Sequence, residues 1–277
     1  MSIRPLRNAQ PAKAASVLLM PKTRALNYAD ELEAQKAAWD RKPALRSVYH
    51  SWYERIRNSL SPVGATVEIG AGSSNFTEFY PEVIATDVIN AGKWLNCLAD
   101  ARDLPFGENS LGNIVMVDAL HHLPRPFELL RDATSALQPG GRLILLEPAA
   151  TPWARLVLGL FHHEPVDLKQ DVFGEDGTPP PANEGFTFAN QAFADLLFVR
   201  SPGETLRRVP GLNLVKVERS DFVVYPATGG LSYFCLVPAR LASGLQRLEA
   251  KLVRRTGKLT AMRLLVVLEK QADEPGR

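Results

Sequence analysis

Polar and apolar positions follow two rhythms along this chain. Between residues 28 and 60 the apolar residues recur at helical spacing, in two pieces broken at Pro43. In the second piece Leu45, Tyr49, Trp52, Ile56 and Leu60 fall at intervals of 4, 3, 4 and 4, which predicts one buried helix face. Ser61-Pro62-Val63-Gly64 ends that helix, and the rhythm changes. Short, continuous apolar runs follow at 66–69, 83–86, 95–98 and 113–117. Residues 126–137 predict a helix with Pro126 in its first turn and Phe127, Leu130, Ala133 and Leu137 on its buried face. Pro139-Gly140-Gly141 stops it, and 142–147 (RLILLE) reads as another strand. Continuous apolar strands alternating with helices indicate an α/β protein whose parallel sheet is covered on both sides.

After Pro148 the alternation lapses. Helices are predicted at 152–161, 188–198 and 202–208, around the Pro/Gly-rich loop FGEDGTPPPANEG. Residues 213–225 alternate like a strand, and 262–269 (MRLLVVLE) read as the last strand. Between them a helix at 239–254 places Leu241, Leu245, Leu248 and Leu252 on one face, expected to dock on the sheet edge. Arg240, Arg247, Lys251, Arg254 and Arg255 lie opposite, so peripheral membrane contact through 239–255 is a second reading of the same helix. The organisation expected is an N-terminal extension with helices (1–60), a ligand-binding core (61–148), a helical insertion or lid (149–210), and C-terminal strands and helix that complete the sheet (211–277).

Composition narrows the classes. The 277 residues are 45% hydrophobic and 22% charged, with a net charge of +2, which suits a globular protein and gives no reason to expect nucleic acid. Cys97 and Cys235 sit in apolar runs and read as small core residues in a reducing compartment, pointing to the cytoplasm. No run of 18 apolar residues predicts a membrane span. The first 24 residues carry Arg4, Arg7, Lys13, Lys22 and Arg24 and no acid; a mobile basic terminus is the favoured reading over an organellar leader. Oligomeric state is not fixed by any of this.

The chemistry concentrates where the strands end. VEIGAGSSNF (67–76) is a strand, a glycine loop and the expected start of a helix, and such a loop lets backbone approach a ligand closely. A dinucleotide loop would carry Gly or Ala where Asn75 stands. Each early strand also meets an acid at its carboxyl end: Glu68, Asp87, Asp100 and Asp118. Four carboxylates on one rim would repel a pyrophosphate but suit a ligand with a positive centre, a ribose diol and an exocyclic amine. Asp87, 17 residues after Gly70, can accept ribose hydroxyls; Asp100 can take an adenine amino proton, with Leu104-Pro105-Phe106 packed on the base.

Four stretches in order, VEIGAGSSNF, VIATDV, CLADARDLPFGENSLGNIVMVDALHHL and LLRDATSALQPGGRLILLEP, resemble the core of the class I S-adenosylmethionine-dependent methyltransferases, in the branch that modifies small molecules. The resemblance covers residues 65–148. It implies a Rossmann-like, doubly wound, mostly parallel seven-stranded sheet with an antiparallel last strand and a helical lid. It implies S-adenosylmethionine as cofactor: Gly70, Ala71 and Gly72 around the methionine end with Glu68 on its ammonium side, Asp87 and Val88 at the ribose, Asp100 and Ala101 at the adenine, and Asp118 and Ala119 near the sulfonium. Ser74 stands where the family usually has its last loop glycine, and Asn113 where an Asp is frequent.

Methyl transfer needs alignment and exclusion of water, plus a base when the acceptor is a hydroxyl. His121 and His122, after the fourth strand, are base candidates, with a loop hydrogen-bonding role as the alternative. His163, in the His162-His163-Glu164 group, is a third candidate, with a surface helix end as its alternative. Tyr53 and Trp153 are candidate substrate contacts, each with packing as the plainer role. No metal is expected, because the His-His-Glu triplet lacks ligand spacing. The function expected is O-methylation of a hydroxylated metabolite, sugar or lipid-linked intermediate. A non-catalytic cofactor-binding module is the alternative, and an NAD(P)-linked oxidoreductase is disfavoured by the rim acids.

Overall fold

The computed structural model describes residues 22–89, 94–162, 164–173 and 189–272. Two helices open it, α1 (Lys22–Arg41) and α2 (Pro43–Arg57), with the break at Lys42-Pro43 as expected from proline's missing N–H. Then come β1 (Ala65–Ile69), β2 (Ile84–Asp87), β3 (Cys97–Leu98), β4 (Leu111–Val117), α3 (Pro126–Ala136), β5 (Leu137–Pro148) and α4 (Pro152–Phe161). The chain continues through α5 (Phe193–Asp195), which runs into a π-helical turn (Leu196–Arg200), and α6 (Pro202–Arg208). It closes with β6 (Leu212–Ser220), α7 (Val224–Ala227), α8 (Ala239–Thr260) and β7 (Arg263–Lys270).

The seven strands form one sheet in the order β3-β2-β1-β4-β5-β7-β6. β1 to β5 pair in parallel, while β7 runs antiparallel to both its neighbours. Successive strand residues serve opposite layers, as the period of two requires. Ile114, Met116, Leu143, Leu145, Leu264 and Val266 pack with α3 and the 194–198 segment. Val115, Ile144, Leu146, Leu265 and Val267 pack with α2, Trp39 and Phe76. The rim that carries the acids therefore sits between two independent cores.

Several expectations need correcting. The helix expected after the glycine loop is a single 3-10 turn, Phe76–Glu78, because Pro81 follows within a few residues. The strand expected over 213–225 stops at Ser220, where Asp221 turns to φ +59° and the chain enters α7. Cys97 is exposed rather than in the core, since β3 is the sheet edge, and Cys235 is half-buried. The leucines of α8 do not dock. That helix packs on α2, α4 and β6 through the buried Ala242, Val253 and Gly257, and leaves Leu241, Leu245, Leu248 and Leu252 exposed. Small residues permit the closer approach: a Cβ on Gly257 would already crowd Arg219 and Val253 at 3.3 Å.

Asn113 has a specific use. Its Oδ1 accepts the Ser61 N–H (2.7 Å) and its Nδ2 donates to the Ser61 carbonyl (3.0 Å). An aspartate could accept but not donate there, so the amide fits this chain's own link into β1. The basic residues Arg4, Arg7 and Lys13, most of the Pro/Gly-rich loop, and His163 lie outside the described residues.

Candidate functional site

At the carboxyl end of β1, Gly70 and Gly72 adopt φ of +70° and +52°. A Cβ on Gly70 would press on the Ala119 methyl at 3.0 Å, so glycine is what lets the loop cross the start of the β4 loop. Glu68 lies beneath, 3% exposed, and among the described residues its Oε2 has no hydrogen-bond partner. Burial, and then the nearby Asp87, push its pKa up to about 8. A buried carboxylate oxygen left unsatisfied beside a glycine loop is what a cationic ligand group would complete. Ser74 completes the loop at φ +53°, fully buried, its hydroxyl bonded to Thr77 at 3.0 Å. Its left-handed backbone explains why a glycine is at home in that place.

Asp87 ends β2 and is almost wholly buried. It accepts the N–H of Gly72 (2.8 Å) and of Val88 (2.7 Å), and lies 3.4 Å from the Tyr28 hydroxyl. Burial raises its pKa, and these donors partly offset that. Asp87 thus ties the end of β2 to the glycine loop, with Tyr28 of α1 beside it. Trp94 adds a second cover, donating from Nε1 to the Gly72 carbonyl at 2.9 Å. Asp100 is buried too, but Arg102 grips it with Nε and Nη2 at 2.6–3.1 Å, and the Arg102 N–H adds a further bond. Ala101 stays half-buried between them. The expected base-packing trio is reduced, since Leu104 belongs to the core under α3 and leaves Pro105 exposed and Phe106 half-buried.

Asp118 ends β4 in a left-handed conformation (φ +53°). Its Oδ1 pairs at 2.6 Å with Nη1 of Arg263, a buried residue at the start of β7. The guanidinium lies 4.5 Å over Trp52 and 5.6 Å from the Tyr225 ring. Trp52 is itself fixed by Nε1 donating to Asp221 (2.9 Å). Tyr53 is buried and stacked on Phe76; burial first, then Glu68, and also Asp118, hold its hydroxyl well above the usual tyrosine range. Trp153 is half-buried and donates to the Phe222 carbonyl (3.0 Å), pinning α4 to the segment beyond β6.

The fifth strand also ends in an acid. Glu147 Oε1 accepts the N–H of Ala119 and Leu120 (3.0 and 2.8 Å), and Oε2 meets His121 Nδ1 at 2.7 Å. The other ring nitrogen of His121 lies 3.4 Å from Glu164. Burial opposes charge on His121, but the two carboxylates outweigh it and raise its pKa to about 10. Glu164, despite partial burial, is held down to about 2 by His121 and the neighbouring imidazoles. His122 is exposed, with Nε2 3.8 Å from the other oxygen of Glu164. His162 stands 3.9 Å from Glu164 and is exposed. So Glu164 pairs chiefly with histidines that precede it by some forty residues. Ligand atoms of His121, His122 and Glu164 lie within 4.8 Å of one another, close enough to share one divalent ion; the same atoms also satisfy each other as imidazole–carboxylate pairs. Asn190 donates its N–H to the His121 carbonyl (2.9 Å), and Gln191 bonds Glu164, so Asn190 and Gln191 clasp Glu164 to the β4 loop.

Sequence reasoning missed Tyr28, Trp94, Arg102, Glu147 and Arg263. Two had a visible signal: Glu147 extends the strand-end acids to β5, and Arg263 is a charge opening the apolar run Leu264–Leu268. The others needed the fold.

Residues 67–145 match a family model described as "Methyltransferase domain". Over 47 residues the chain is 40% identical to 27-O-demethylrifamycin SV methyltransferase of Amycolatopsis mediterranei (strain S699), a match that spans 17% of each chain. A SAM-dependent methyltransferase from Archaeoglobus fulgidus is similar in structure, with a TM-score of 0.50 at 16% identity, covering 81% of this chain and 94% of that one.

Proposed function

We propose that this chain, which carries a methyltransferase domain on the class I S-adenosylmethionine-dependent fold, transfers a methyl group to a hydroxyl of a small-molecule acceptor. The observation that carries the reading is the partnerless Glu68 oxygen beside the glycine loop, on a rim that also holds Asp87 and Asp118. The O-demethyl in the rifamycin relative's name lends weight to an oxygen acceptor. A hydroxylated metabolite, a sugar and a lipid-linked intermediate are all acceptors of this kind.

S-adenosylmethionine supplies a methyl already activated on its sulfonium, so the protein's work is alignment and the handling of one proton. Glu68 would hold the ammonium, Asp87 the ribose diol, and Asp100 the adenine amine once Arg102 yields one of its bonds. Asp118 would keep negative charge beside the sulfonium, with Arg263 fixing its position. His122 would take the acceptor's proton, since it is exposed beside Glu164 while His121 is locked between two carboxylates. The clasp through Asn190 and Gln191 would exclude water.

Ser74, left-handed where a glycine is usual in the loop, leaves room for one other reading, a module that binds cofactor without turnover. Titration calorimetry with S-adenosylhomocysteine and with NADH tests the cofactor; binding of NADH alone would overturn the reading. Asp87→Ala is expected to weaken S-adenosylhomocysteine about 100-fold, through loss of charge-assisted hydrogen bonds. Turnover on a panel of hydroxylated acceptors separates the enzyme from the silent module.

A further inference from the structure

Helix α8 presents three faces at once. Ala242, Val253 and Gly257 meet the protein. Leu241, Leu245, Leu248, Leu252 and Leu259 are all exposed, Leu248 at 66%, and at 3.6 residues per turn they fall within an arc of about 60°. Arg240, Arg247, Lys251, Arg254, Arg255 and Lys258 are exposed too, and form a stripe about 100° further round. The leucines thus run between the protein body on one side and the cations on the other. The helix's single acid, Glu249, is turned inward, where it accepts the N–H of Val223 and Val224 at 3.0 Å. Its outward surface therefore carries positive charge alone.

The apolar stripe has neighbours. α4 packs on α8 and exposes Leu156, Leu160 and Phe161. Tyr233 donates to the Phe161 carbonyl (2.8 Å), fixing the 233–236 loop there with Phe234 76% and Leu236 68% exposed. So many large apolar side chains on one side of a protein mark a contact surface.

We propose that this side of the protein lies on an anionic lipid surface. The leucines of α8 with Phe161, Phe234 and Leu236 enter the headgroup–acyl boundary, and the cation stripe lies among anionic headgroups. Charge selects this occupant: a second copy of the helix would bring a second set of cations to the same seam, whereas an anionic bilayer neutralises them. The partner class is a lipid surface, and it would offer amphiphilic acceptors to a site whose lid begins with α4. The inference stands apart from the methyl-transfer reading, because α8 contributes no residue to the rim.

Vesicle flotation tests it. The full chain should float with vesicles containing about 30% phosphatidylglycerol and stay soluble with phosphatidylcholine alone, and added salt should release it. The doubles Leu248→Ser with Leu252→Ser, and Lys251→Glu with Arg255→Glu, should each lower the floated fraction at least about tenfold. Unchanged S-adenosylhomocysteine affinity and melting temperature in both doubles would show that the loss is not unfolding. Failure of the wild type to float, or flotation of the leucine double like wild type, overturns the proposal. So does a dimer in solution that the leucine double dissolves, which would assign the stripe to a second copy.

Discussion

The two halves of the candidate site are built by opposite means. On the side proposed to hold the adenosyl group most polar contacts are shorter in sequence: Gly72 to Asp87, Asp87 to Val88, Asp100 to Arg102. Tyr28 and, from less far, Trp94 reach in from elsewhere in the chain. On the side proposed to face the methyl group the contacts are distant: Asp118 with Arg263, Trp52 with Asp221, and His121 with both Glu147 and Glu164. The first half is a local motif that most of the fold merely supports. The second exists only when the two cores have closed. Substitutions should therefore divide, those on the adenosyl side acting on ligand affinity and those on the methyl side on folding and turnover.

The largest effect should come from Arg263→Ala. It leaves Asp118 without its cation and empties a buried place against Trp52 and Tyr225, so a loss of about 3–5 kcal/mol is expected in denaturant unfolding. A loss below about 1 kcal/mol, the range of an exposed ion pair, would show that the methyl side does not depend on this link. Next is His122→Ala, expected to lower kcat about 100-fold with S-adenosylhomocysteine affinity intact. His121→Ala should instead lower the melting temperature, because it removes the buried imidazole that joins Glu147 to Glu164. If the two variants behaved alike, the division of labour between the neighbouring histidines would fail.

Glu68 sharpens the comparison through pH. Its folded pKa of about 8 lies above the ordinary 4.5, so the ligand-free protein favours the protonated acid. Stability from this group is fully present below pH 4.5 and is lost as pH rises through about 8. Binding of an ammonium needs the carboxylate, so S-adenosylhomocysteine should bind more tightly as pH rises over the same window and release a proton at pH 7. Calorimetry in two buffers of different ionisation enthalpy reads that proton, and Glu68→Gln should abolish it. The smallest effect belongs to Ser74→Gly. Relief of the left-handed backbone should stabilise by up to about 1 kcal/mol, less whatever the Thr77 hydroxyl bond contributes. A lower melting temperature would give that bond the larger share.

The same division explains what could be read from the sequence. Strand ends and the helix at 152–161 were legible because an apolar run and its punctuation are local. Glu68, Asp87, Asp100 and Asp118 were legible as strand-end acids for the same reason. The partners they take were not: Arg102 and Asp100 are two residues apart, but nothing in that spacing says the arginine folds back. The α8 leucines misled because periodicity identifies an apolar face without saying what it faces, and the small residues Ala242 and Gly257 won the packed position. Glu164 meets His121 and His122 as well as its neighbour His162, and adjacency in sequence announces only the last of these.

The position of β7 has a consequence for biosynthesis. It follows the other six strands in the chain, yet lies inside the sheet, between β5 and β6. A nascent chain could form β1 to β5 early, but β6 would have no neighbour until β7 left the ribosome. The same late strand carries Arg263. Pausing or truncation before that point would yield a chain with its glycine loop and strand-end acids in place but no counter-charge for Asp118, exposing the apolar edge of β5 to chaperones.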